Sequence, residues 1–325
     1  MALLRDWGLT LGRWAVRPEA RLVRDGDDPD VERVRVAAAA AEWAVVRDVL
    51  GARPESADRT GLLWAVADTA GVERWIGDVL KAEPESALAL TVAGIRYISW
   101  GWEARTAARA KDVSREQFEV FHSRLREAEE YLYKAAEREP GWTSPWYGLQ
   151  ISGRGLQVGQ VMARRRFEAT VRRDPYHLGA HTQQLQQICE KWGGSHEEMH
   201  AFARASALGA PGGTLLGRLV PDAHIEQWLS LDSGPDAAYM CRPEVVESLR
   251  EAADRSYRHP DFVAAGPGLG LLNSFAMAFS LAGDAGGARE CFQATEGRVT
   301  ESPWDYLNGS DPVAAYRKHR SSAGR

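Results

Sequence analysis

The stretch Ala128–Leu149, AEEYLYKAAEREPGWTSPWYGL, decides how this chain is read. Ala128, Tyr131 and Ala135 recur at three- and four-residue spacing, which puts small and aromatic residues on one helical face. Pro140 then breaks the helix, because its ring has no N–H to donate and clashes with the preceding turn. A second helix opens with Trp146 and Tyr147 followed by Gly148. A second copy, Arg164–Leu185 (RRRFEATVRRDPYHLGAHTQQL), carries Pro175 35 residues after Pro140. Helix, proline joint, helix at a fixed period is the grammar of a stack of helix pairs.

Outward from that joint the same punctuation recurs. Pro54 and Pro84 stand 30 residues apart, a shortened version. Pro84 and Pro140 stand 56 apart, one repeat plus roughly 20 residues, which implies a lengthened hairpin near 96–125. Apolar periodicity and breakers predict helices over 30–51, 56–70, 72–82, 86–113 (one long helix or two end to end), 115–139, 144–157, 160–173, 178–191 and 195–208, then 223–231, 243–257, 269–282, 285–296 and 312–319. Ser114 with Gln117 three residues on is a capping-box start for the helix from Arg115. No run of alternating β-branched residues suggests a sheet, so the expected class is all-α. The expected organisation is an N-terminal arm over 1–30, docked through Trp7 and Trp14; helical repeats over 31–210; and a C-terminal helical block over 211–325. That block carries a final helix pair, a cap and a frayed tail from Ser321. The segments 209–214 and 232–243 are candidate joints.

Composition excludes several function classes. At 325 residues, 44 % apolar and 26 % charged, the chain has the balance of a globular protein. Cys189, Cys241 and Cys291 are odd in number and widely spaced, which fits neither a disulfide framework nor a zinc knuckle. A reducing, cytoplasmic setting follows as the simpler expectation. Arg5 and Asp6 interrupt any apolar signal core at the N-terminus, and no window offers 18 uncharged apolar residues, so no membrane role is expected. A net charge of −5 gives no overall pull toward nucleic acid. The heavy use of Ala, Arg and Gly suggests a bacterial source.

The joint residues resemble the tetratricopeptide repeat (TPR). AEEYLYKAAEREP running into SPWYGL is similar to the second helix of one such repeat entering the first helix of the next. EPESALALTVAG, RRDPYHLGAHTQQL and SFAMAFSLAGDAGGARECFQA are looser copies, with His181 where the family uses Trp. KWGGSHEEMHAFAR resembles a bacterial family of such repeat proteins. The resemblance implies a TPR-like α-solenoid with a scaffolding habit rather than a reaction. It also implies that the first helix of each pair lines a concave groove. In that register Tyr147, Ile151 and Arg154 face the groove from one repeat and Thr182, Gln186 and Glu190 from the next. Arg96, Trp100, Trp102 and Arg105 of the lengthened hairpin complete the candidate binding set. The expected function is a non-catalytic protein–protein interaction scaffold that takes a peptide or protein partner, with no cofactor.

Other motifs carry chemistry on paper. His196-Glu197-Glu198-Met199-His200 is a literal HExxH, which in zinc peptidases places two imidazoles on one helical face. Here Ser195 and Glu198 make it the capped first turn of a helix, and the metzincin glycine fails because position 203 is alanine. With His177 and His181 it forms the alternative reading, a metal-binding protein or zinc-dependent hydrolase using histidines between 177 and 200. Arg164, Arg165, Arg166, Arg172 and Arg173 form a basic run, expected to be a solvated outer face or a site for an acidic partner rather than a nucleic-acid contact. Gly266–Gly270 lacks the strand before it and the Lys-Ser/Thr after it that a phosphate loop needs.

Overall fold

The structure is a computed structural model in which residues 18–23, 28–106, 113–231, 235–264, 266–307 and 311–324 are described. Trp7, Trp14 and residues 107–112 of the expected lengthened hairpin lie outside the described residues. The fold is all-α. Its helices are α1 Pro29–Ala39, α2 Trp43–Ala52, α3 Ala57–Ala67, α4 Val72–Ala82, α5 Ala87–Arg105, α6 Arg115–Arg138, α7 Ser144–Gly155 and α8 Gln160–Val171. They continue as α9 Leu178–Gln187, α10 His196–Gly209, α11 Leu219–Ser230, α12 Pro243–Arg255, α13 Gly268–Leu281, α14 Ala285–Thr295 and α15 Pro312–Ala323.

Local chemistry accounts for most of these ends. The Ser114 hydroxyl accepts from the Gln117 N–H at 3.2 Å while the Gln117 side chain accepts from the Ser114 N–H at 3.0 Å, so the capping box forms. Ser56, Ser86 and Ser195 cap α3, α5 and α10 in the same sense. Helices α5 to α9 each pack on their successor, and α1, α3, α5, α7 and α9 also touch one another in that order. The close crossings are made by small residues. A Cβ on Gly94 of α5 would stand 2.5 Å from Cγ of the fully buried Leu132 on α6, so glycine is what lets the two backbones approach.

Four expectations need correction. The helix expected over 86–113 stops at Arg105, where Thr106 turns the backbone at φ +63°. The helix expected over 30–51 is two helices, because Ala41 turns the backbone at φ +57°. The Trp75 indole N–H donates to the Ala38 carbonyl at 3.0 Å, ending α1 there; an alanine run has helix propensity but no means of specifying where it stops. The helix expected to reach Lys191 stops at Gln187, and a 3-10 turn at Glu190–Trp192 leads to Gly193 at φ +89°. The tail expected to fray from Ser321 continues α15 to Ala323, which is buried and accepts from Arg289 at 3.0 and 3.2 Å.

One small sheet interrupts the helices. β1 (Arg21–Leu22) pairs in parallel with β2 (Arg298–Val299), Arg21 opposite Arg298, and ties the first described residues to the last helices. Buried apolar side chains form two clusters. One draws on α1 to α9 around Leu50, Leu63, Ile95, Leu125 and Leu132. The other draws on α9 to α15 around Met199, Leu219, Phe275, Phe279 and Trp304, with Ala20 of the arm seated in it.

Candidate functional site

Alternate helices build one groove. Trp64 from α3, Trp102 from α5, Tyr147, Ile151 and Arg154 from α7, and Gln183 from α9 line a depression of about 320 Å³. These helices come together there because each contacts the next alternate one. The spacing i, i+4, i+7 of Tyr147, Ile151 and Arg154 places all three on one face of α7.

Its floor is firm. Tyr147 is buried, with its ring edge-on to Trp64 at 6.4 Å and tilted against His177 at 4.8 Å. Burial pushes the Tyr147 hydroxyl up, with Gln183 and Arg154 opposing it. Trp102 sits on Phe121 at 4.8 Å. The Trp64 indole nitrogen is buried and has no acceptor.

Arg154 is the unusual member. Its guanidinium lies 6.0 Å from the Trp102 ring and 5.8 Å from the Trp192 ring, so aromatic faces flank it on two sides. Its hydrogen bond runs to the side-chain oxygen of Gln183. No carboxylate among the described residues pairs with it. Burial accordingly pulls its pKa below the usual arginine value, with Tyr147 and Cys189 opposing.

Other arginines singled out from the sequence are neutralised. Arg96 is 1 % exposed, held by Glu73 at 2.9 Å, the Ala67 carbonyl at 2.7 Å and Glu103 at 2.7 Å. It is a core cation and lines no groove. The basic run of α8 is divided in the same way. Arg164 pairs with Glu168 at 3.1 Å, whereas Arg166, expected on a solvated face, is 4 % exposed and donates to Glu129 and to the Leu149 carbonyl, each at 2.6 Å.

Of the residues singled out from the sequence, the groove gathers Trp102, Tyr147, Ile151 and Arg154. It does not gather Thr182, Gln186, Glu190, Trp100 or Arg105. Gln186 donates to Glu226 of α11 at 3.1 Å and the Glu190 carboxylate lies 3.1 Å from the His196 ring. Trp100 is covered by Arg124, 3.5 Å from its ring centroid, and Arg105 lies over Trp102 at 5.5 Å. Trp64 and Gln183 were not singled out. Gln183 is one residue from Thr182, so a single-residue slip in aligning α9 with α7 hides it.

The histidines separate. Nδ1 of His177 accepts the Ala180 N–H at 3.0 Å as the cap of α9, and His181 Nδ1 sits 3.0 Å from the His177 carbonyl. His200 Nε2 contacts Gln227 at 2.7 Å and Tyr239 at 3.2 Å, and the Tyr239 hydroxyl reaches His224 Nδ1 at 2.8 Å. His196 contacts Ser230 at 3.2 Å. Among the described residues no three His, Cys, Asp or Glu side chains come together as a metal ligand set, and no helix is long and apolar enough to cross a membrane.

The fold and groove together define an all-α helical protein with an aromatic-walled depression whose lining arginine, Arg154, has no carboxylate partner among the described residues. Comparison of the sequence with known protein families and with curated proteins finds no match, so the groove's own geometry carries the functional reading.

Proposed function

We propose that this protein is a TPR-like helical repeat protein, a non-catalytic scaffold that receives a peptide or protein segment in the groove of α3, α5, α7 and α9. The observation that carries the reading is that alternate helices, four in succession, each give a side chain to one depression. The contacts of α1 with α2, α5 with α6, α7 with α8 and α9 with α10, and of α1, α3, α5, α7 and α9 in succession, support reading the odd-numbered helices as the inner row of a solenoid of stacked pairs. Aromatic walls suit an extended or helical peptide, because Trp and Tyr bring large contact area at small entropic cost. The three cysteines are free thiols, two of them buried, which favours a reducing, cytoplasmic setting. The alanine- and arginine-rich composition favours a bacterial source.

The test is selection of randomised 12-residue peptides displayed against the full-length protein, followed by anisotropy titration of the enriched peptides against wild type, Trp102→Ala and Ile151→Asp. Enriched peptides should lose at least tenfold in affinity for both variants. The scaffold reading fails with no enrichment, or with peptides that bind the folded variants as well as wild type.

A further inference from the structure

The groove's one cation is incomplete. Arg154 is half-buried, donates to the neutral oxygen of Gln183, and has indoles at 6.0 and 5.8 Å. A guanidinium carries five N–H donors in a planar fork that matches a carboxylate two bonds at a time, and no described carboxylate takes that place. The contrast lies within the same molecule. Arg59, Arg96, Arg166 and Arg218, also drawn into the packed body, each have Glu or Asp within 3.0 Å, and Arg124 and Arg173, which have no carboxylate partner among the described residues, spend their donors on backbone carbonyls instead. A partly desolvated cation without an anion raises the free energy of the free protein, and that penalty is relieved when a ligand brings the charge.

The surroundings narrow the ligand further. Trp64, Trp102 and Ile151 give apolar wall within the same 320 Å³, room for one bulky side chain beside the charge. Trp64, of the same lining, keeps its indole N–H buried without an acceptor.

We infer that the partner segment presents a single carboxylate to Arg154, flanked by a bulky apolar side chain that packs against Trp64, Trp102 and Ile151. This rests on the scaffold reading of the groove and adds the chemistry of what enters it. The carboxylate comes from an Asp or Glu side chain or from the partner's own C-terminus; the two sources bring the same two oxygens.

The experiment takes the peptides enriched on the full-length protein and compares each with two neutralised forms, Asp/Glu→Asn/Gln and C-terminal amide, by anisotropy. Both are titrated against wild type, Arg154→Gln and Arg154→Lys, with thermal melts confirming that each variant folds. One neutralised form should weaken binding to wild type at least tenfold and weaken it little further against Arg154→Gln, while Arg154→Lys recovers part of the affinity. Loss on amidation identifies a C-terminal carboxylate, and loss on the side-chain change identifies Asp or Glu. Peptides that depend on Trp102 yet bind equally well when neutralised overturn the carboxylate inference and leave the scaffold reading standing. Absence of any Trp102-dependent peptide overturns both. The peptide-side changes keep the test decisive even where an arginine variant does not fold.

Discussion

Replacing Arg96 with methionine tests whether the packing of α3, α4 and α5 depends on a buried charge. Its side chain is 1 % exposed and is shared among Glu73 at 2.9 Å, Glu103 at 2.7 Å and the Ala67 carbonyl. The two acids do not weigh equally. Glu103 is 48 % exposed, so water already screens it. Glu73 is 12 % exposed and also accepts the Gly71 N–H at 3.0 Å at the start of α4. Burial pushes the Glu73 carboxyl up, but its own backbone N–H and the Arg96 charge together hold it below the usual carboxylate range. Methionine fills most of the volume but strands that carboxylate, and breaking a buried pair from one side costs about 3–5 kcal/mol. At ~2.1 cal/mol/K per residue over the protein's length, the melting temperature should fall by roughly 4–7 °C. Urea unfolding followed by far-UV circular dichroism measures the loss. Glu73→Gln alone should also destabilise, and the double variant should lose less than the sum of the two, with a coupling of about 0.5–3 kcal/mol. An Arg96→Met protein within about 0.5 kcal/mol of wild type, or single effects that simply add, would refute the argument.

Two further outcomes follow from the histidines. Protein loaded with zinc and dialysed should retain no stoichiometric metal by elemental analysis, in wild type or in His196→Ala/His200→Ala; one equivalent held by wild type and lost in the variant would reverse this. Stability should fall as pH drops from 7 toward 4. Burial, aided by the neighbouring His200 imidazole, pulls His224 down to about 3, and burial also lowers His177, His181 and His200. A histidine whose folded value is depressed binds fewer protons folded than unfolded. Its contribution is therefore intact above the unfolded value near 6.5 and is lost as pH falls below it. For His224 that loss is about 2 kcal/mol by pH 5, and His224→Gln should flatten the profile by that amount in denaturant titrations at pH 5 and pH 8. An unchanged slope would show that His224 is not the buried neutral group described.

Residues differ in how far their sequence neighbours decide their role. Ser114 caps α6 through Gln117 three positions away, and Pro140 ends the same helix by its own covalent geometry; both were legible, and with them the all-α class. The break after Ala39 was not, because its partner is the Trp75 indole, 37 residues on from Ala38. The groove shows the same division. Tyr147, Ile151 and Arg154 share a face by helical period alone, so three members of the lining were within reach of the sequence. Trp64 was not, since the Pro54–Pro84 spacing of 30 breaks the 35-residue register that would have aligned it. Gln183 was replaced by Thr182, because a slip of one residue turns a helical position by about 100°. Arg96 and Arg154 make the point most sharply. Both lie on alternate helices, α5 and α7, and the sequence makes both candidate binding residues, yet Glu73, 23 residues away, neutralises one and no carboxylate among the described residues pairs with the other. Whether a buried or half-buried arginine is neutralised depends on where the nearest carboxylate folds, and that is a property of the packed helices rather than of either residue's own sequence neighbourhood.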